Sequence, residues 1–190
     1  MLDRNRVRDV YLEAAELTSA EQPAFLDHPA LAPPRLVRLE PAHLVEARVR
    51  NRQLRADFGS LKGKHIALWG LAFKPKTDDV REAPAFALIE GLLKEGATVT
   101  GTDPEAMQTA QDRLNFMGAT EGVTLTADAY EACKDADALV LCTEWREFTS
   151  PNIARLKGLL RGRRVYDGRN VWVPAEFTEA GFEYRGIGRS

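Results

Sequence analysis

The sequence has too few cysteines for a disulfide framework. Cys133 and Cys142 are the only two in 190 residues, and a reducing cytoplasm is the default compartment for such a chain. No apolar run approaches the ~20 residues that cross a bilayer. The N-terminus lacks a charged segment followed by an apolar stretch and a small-residue cleavage site, so no secretory signal is expected. Neither charge is in excess: a formal net charge of −2 leaves no basic field to attract nucleic acid. His28, His43 and His65 are scattered, and together with the two cysteines they show no metal-ligand spacing. No histidine lies near either cysteine in sequence, so both cysteines read as small buried hydrophobes. What remains is an ordinary soluble composition, 44% hydrophobic and 28% charged, at a length suited to one domain with or without an appendage.

Glycine and lysine are unevenly missing. Of the 14 glycines only Gly59 precedes residue 60, and no lysine does, whereas five of the ten prolines lie between Pro23 and Pro41. This shift puts a boundary between about 45 and 62. In the first part Val7, Val10, Tyr11, Ala14 and Leu17 recur at helical spacing over 3–17. Thr18 and Glu21 form a capping-box pair for a second short helix, which Pro29 to Pro34 ends. An arginine-rich helix is expected from about 41 to 57.

From residue 62 the pattern becomes regular. "HIALWG", "ATVTGTD", "VTLT", "ALVLC", "RVYDG" and "FEYRGIG" read as six short strands. Between them lie helices: Ala85–Glu95 with Pro84 in its first turn and Gly96 past its end, one capped by Asp103, one capped by Asp128 with Glu131, one from Ser150-Pro151, and Pro174–Ala180. Alternation of this kind predicts a Rossmann-like, doubly wound, mainly parallel six-stranded sheet with a helical N-terminal extension. Ligands bind such sheets at the carboxyl ends of the strands. The loops after Trp69, Thr102, Cys142 and Tyr166 are therefore the places for a site.

The first of these loops, "GLAFKPKTDDVREAP" over 70–84, lacks the G-x-G-x-x-G spacing of a dinucleotide site but gathers Lys74, Lys76 and Arg81 against Asp78, Asp79 and Glu82. Cations beside a helix N-terminus favour phosphate; internal salt bridges in a solvated loop are the alternative. In "TEWREF", Trp145 and Phe148 either line a flat cleft or pack under the loop. In "DGRN", Gly168 lets the chain turn and leaves Arg169 free to project over the strand ends, toward a phosphate or solvent. Asp103 either caps the next helix or contacts a ribose.

"GKHIALWGLAFKPKTDDVREAP", "LVLCTEWREF", "VYDGRNVW" and "GFEYRGIGR", in this order, resemble the C-terminal UDP-binding domain of the UDP-glucose dehydrogenase family. The resemblance covers about residues 48–190, where "VRNRQLRADFGSLKGK" is similar to the end of the family's long connecting helix, and it implies a division into 1–47, 48–61 and 62–190. "LEAAELTSAEQPAFLD", in the first part, resembles a helical segment of some bacterial serine/threonine kinases, but no kinase motif accompanies it and no function follows from it.

The resemblance implies that 62–190 is a UDP-sugar-binding domain, that Phe73, Lys74 and Arg169 hold the UDP-sugar, and that Arg81 faces NAD held by another domain. The family oxidises UDP-glucose to UDP-glucuronate with NAD, in the setting of nucleotide-sugar metabolism and polysaccharide biosynthesis. It uses a G-x-G-x-x-G domain, a G-G-S-C cysteine loop and a middle helical domain through which dimer contacts largely run. None of these motifs occurs in the 190 residues. The expectation is a truncated or fused enzyme part, inactive alone, with no catalytic residue and no NAD of its own. Its alternative is a non-catalytic nucleotide-sugar-binding or regulatory module, which could complement a separate chain carrying the missing domains.

Overall fold

The computed structural model describes residues 41–188. The helices expected over 3–26 lie outside the described residues, as does the kinase-like segment. Helix α1 runs over Ala42–Phe58 and strand β1 over His65–Trp69; α2 is Pro84–Lys94, β2 Thr98–Thr102, α3 Met107–Met117 and β3 Val123–Leu125. Then follow α4 Ala129–Ala132, β4 Ala138–Leu141, α5 Ile153–Leu159, β5 Arg164–Asp167, α6 Pro174–Glu179 and β6 Glu183–Gly186. The six strands form one sheet in the order β3-β2-β1-β4-β5-β6, and every pairing is parallel. Order reverses between β1 and β4, the switch point at which such sheets open a crevice.

Alternation along each strand builds two apolar layers. Ile66, Leu68, Val99, Val140 and Tyr166 face the layer of α1, α2 and α3. Ala67, Trp69, Leu139, Leu141 and Val165 face the layer of α4, α5 and α6, where Trp69 stacks on Phe148 at 5.0 Å and Trp172 on Phe177 at 4.8 Å. The continuous apolar run of β4 is the signature of a strand covered on both sides.

Several expected boundaries hold. Pro84 occupies the first turn of α2, and Asp128 caps α4 by accepting from the N–H groups of Tyr130 and Glu131. Others move. Helix α5 begins at Ile153 rather than at Ser150, because Asn152 supplies the cap by accepting from Arg155 N–H. The dividing line at 47/48, implied by the extent of the resemblance, falls inside α1. That helix is built from good helix formers, and it buries Ala47, Arg50 and Leu54 at spacings of three and four residues. It packs on α2, where a side chain on Gly91 would collide with Asn51, 1.9 Å from its Nδ2. Its C-terminal end is fastened to the sheet by Asp57, which accepts from Tyr166 Oη at 2.9 Å and from both Nε and Nη2 of Arg185. Glu40–Ser190 thus forms one compact unit.

Candidate functional site

The four loops named from sequence all leave the carboxyl edge of the sheet, and buried carboxylates knit them together. Asp103, at the end of β2, is 2% exposed. One of its oxygens accepts from the N–H groups of Leu71 and Ala72 and from Trp145 Nε1, at 2.7, 2.9 and 3.0 Å. The other accepts from the N–H groups of Glu105 and Ala106. Five donors saturate this carboxylate, so it is closed to a ribose. It does not cap α3 either, whose first residue is Met107; it caps the turn before that helix. Trp145 and Phe148 are buried and belong to the core rather than to a cleft wall.

Close approach of backbones completes the knot. Gly70, at φ +89°, lies against Thr143: a Cβ there would sit 2.4 Å from the threonine Cβ, so only glycine fits. Thr143 Oγ1 donates to Ala72 O at 2.6 Å. Asp167, fully buried at the end of β5, accepts from the N–H groups of Arg169 and Trp172 and from Tyr184 Oη. Asn170, at φ +56°, clamps the chain after β6 by bonding both the N–H and the carbonyl of Ile187.

The predicted residues take contrasting positions on this frame. Phe73 and Lys74 directly follow the anchored Ala72 and are both exposed, the phenyl ring at 45%. The Phe73 N–H donates across the loop to Asp79 O at 2.8 Å. Arg81 is 87% exposed and forks onto Asp79, with Nε and Nη2 at 2.9 and 2.8 Å. This hydrogen bonding lowers the Asp79 carboxyl to about 2. Arg169 is not free as the sequence suggested. It is 22% exposed, its Nε donates to Cys142 O at 2.6 Å, and it pairs with Glu144 at 3.2 Å and Glu46 at 3.3 Å. The reason is α1, which brings Glu46 and Arg50 beside Gly168, where a Cβ would also meet Leu141 O at 2.3 Å.

Bonds thus run from Arg169 to Cys142, and from the neighbouring Thr143 to Ala72. The two loops carrying Phe73, Lys74 and Arg169 consequently share one edge, on either side of the β4 loop. Glu46, Glu144, Asp167 and Thr143 were not singled out from sequence. Their partners lie far along the chain, and the only local sign was the four-residue spacing of Glu46 and Arg50. Burial pushes Glu46 upward and outweighs the pull of Arg169 and Arg50. It pushes the Cys142 and Cys133 thiols up to about 12, which suits packing and not nucleophilic attack. A groove of about 690 Å³ between α2 and α3 opens at the opposite, amino edge and is lined by none of the predicted residues. Among the described residues no helix is long and apolar enough to cross a membrane. Two cationic side chains, Lys74 and Arg169, thus lie at this edge, with the exposed ring of Phe73 directly before Lys74.

Residues 67–174 match the UDP-binding domain of the UDP-glucose/GDP-mannose dehydrogenase family. The chain is similar to the UDP-glucose 6-dehydrogenase of Pseudomonas aeruginosa, 46% identical over 131 residues, which is 69% of this chain and 29% of that protein. The UDP-glucose 6-dehydrogenase of Rhizobium meliloti is 43% identical over the same length, with the same shares. Among solved structures, a UDP-glucose dehydrogenase from Pyrobaculum islandicum superposes with a TM-score of 0.63 at 31% identity, covering 77% of this chain and 30% of its own. The chain therefore spans under a third of the length of these relatives.

Proposed function

Because the chain belongs to the UDP-glucose/GDP-mannose dehydrogenase family, through its UDP-binding domain, we propose that it holds the nucleotide of a UDP-sugar at the carboxyl edge of its sheet. The observation that supports this reading is that the exposed Phe73–Lys74 pair and Arg169 leave the same edge of the sheet, on either side of the β4 loop, on a frame fixed by Asp103, Thr143 and Asp167. Lys74 and Arg169 supply cations for the diphosphate, and the ring and main chain around Phe73 supply a surface for the base. Arg81 extends from the same loop toward a second ligand across the cleft, the nicotinamide cofactor NAD.

The residues present do not suffice to hold NAD by themselves. Asp103, which would meet a ribose, is saturated by five donors, and the 190 residues contain no G-x-G-x-x-G turn. The chain works as half of a cleft, without turnover alone. The other half, with the cofactor and a nucleophile, comes from another polypeptide segment or a separate chain. Several hydrogen bonds worth about 1 kcal/mol each are then lacking, which weakens binding by roughly two powers of ten and removes most choice between sugars.

Calorimetry with UDP on the 190-residue protein tests the reading. We expect weak binding that Lys74→Ala and Arg169→Ala both reduce, and no reduced cofactor on mixing with UDP-glucose and NAD. Absence of UDP binding, or binding indifferent to both substitutions, refutes the site.

A further inference from the structure

Arg50 stands out among the charged groups. Its guanidinium is 2% exposed, and its Nη2 is buried without a hydrogen-bond partner among the described residues. Nη1 donates to Gln53 at 2.8 Å, and the guanidinium lies 5.9 Å from the centre of the Tyr166 ring. An unmatched buried donor is costly to retain, and nothing in the core layer requires an arginine there. Burial pulls its protonation constant down, against the pull of Cys142, Glu46, Asp167 and Tyr166. Arg50 Nη2 and Glu46 Oε1 each lie 3.5 Å from the place a Cβ on Gly168 would occupy. Both therefore border the residue next to Arg169, one helical turn apart on α1.

The reach of Arg169 gives this placement a use. A two-oxygen grip on phosphate takes two N–H groups along one edge of a guanidinium. The Nε edge is engaged by Cys142 O and Glu144, which leaves the Nη1–Nη2 edge. There Nη1 is held by Glu46 at 3.3 Å. An incoming diphosphate must draw Nη1 away from Glu46, a carboxylate only 20% exposed. Stranding a desolvated carboxylate without a cation is heavily unfavourable.

We propose that Arg50 is a positioning residue for the nucleotide site: when Arg169 turns to the diphosphate, Glu46 passes to the unmatched Nη2 of Arg50. This rests on the UDP reading of Arg169. The exchange keeps the buried carboxylate paired in both states and makes the set of α1 against the β5 loop part of nucleotide affinity.

The test is UDP calorimetry on the whole 190-residue chain carrying Arg50→Met, Glu46→Gln or both, with thermal melts alongside. Arg50→Met should weaken UDP binding by about tenfold or more, the usual penalty of an orphaned interior charge. Glu46→Gln should bind UDP as tightly as the parent or tighter, since Arg169 is then released without leaving a charge behind. The double variant should match Glu46→Gln alone. A defect of Arg50→Met that persists in the double variant would mean mere scaffolding and overturn the exchange, as would an Arg50→Met protein that binds like the parent. If Arg50→Met does not fold, Glu46→Gln decides: weakened UDP binding in it overturns the proposal. If the parent binds UDP and Arg169→Ala leaves affinity unchanged, the exchange falls while a site at Lys74 survives. If the parent binds no UDP, both fall.

Discussion

Two arginines at the same edge of the sheet show how little residue type says about strength. Arg81, in the β1 loop, forks onto Asp79 with good geometry, but the guanidinium is almost wholly in water. Arg169, in the β5 loop, has longer ion pairs, yet its partners come from α1 and from the β4 loop, and its main-chain N–H is fixed by a buried aspartate. Solvent screens the first pair until it contributes little. The second joins α1, the β4 loop and the β5 loop. The β1 loop therefore carries a guanidinium held only by a solvent-facing partner, and the β5 loop one held by half-buried partners from other elements.

Substitutions can break or sharpen that contrast. The largest effect is expected at Asp167, since Asp167→Ala removes the buried acceptor that three donors share. Urea denaturation should show a loss of about 3 kcal/mol, with nucleotide binding lost alongside. Arg169→Ala should come next, lowering UDP affinity by roughly tenfold or more in calorimetry and lowering the melting temperature as well, because the bond that ties the β5 loop to the Cys142 carbonyl is lost. Lys74→Ala should lower UDP affinity by only about threefold to tenfold, as expected for one solvent-facing contact with a charged group, with the melting temperature unchanged. The smallest effect belongs to Arg81→Ala, which should alter neither stability nor UDP affinity. It should instead be visible by carbon-detected NMR titration, where the Asp79 midpoint rises from about 2 toward the ordinary carboxylate range, the main-chain N–H of residue 81 still holding it partly down. Because that carboxyl is depressed in the fold, whatever the pair contributes is present above the ordinary range and disappears as pH falls toward about 2. If Arg81→Ala proved as damaging to the fold as Arg169→Ala, the distinction between the loops would collapse.

The sheet was legible in the sequence because its signals are local. Each strand is a short apolar run closed by a turn residue, as at Leu68–Gly70 and Ala97–Asp103, and α2 opens on Pro84. The places of Phe73 and Lys74 at the strand ends followed from the alternation of elements. What could not be read is whatever depends on distant partners. Asp103 has the local look of a helix cap, but its second oxygen serves residues more than thirty positions away. Arg169 looked free because Glu46 lies 123 positions earlier, in a helix that the sequence marked only as rich in arginine. Helix α1 has little contrast between its faces, so its inward residues could not be sorted by periodicity before its packing on α2 was known.

The foot of α1 carries a practical lesson. Tyr166 donates to Asp57, and Leu54 fills a slot beneath the sheet with no exposure at all. A protein trimmed to begin at residue 60 would keep every strand, yet it would open its main core to water and take away the phenol's acceptor. Anyone dissecting this chain should cut upstream of the helix, because the lid of the core lies ahead of the first strand.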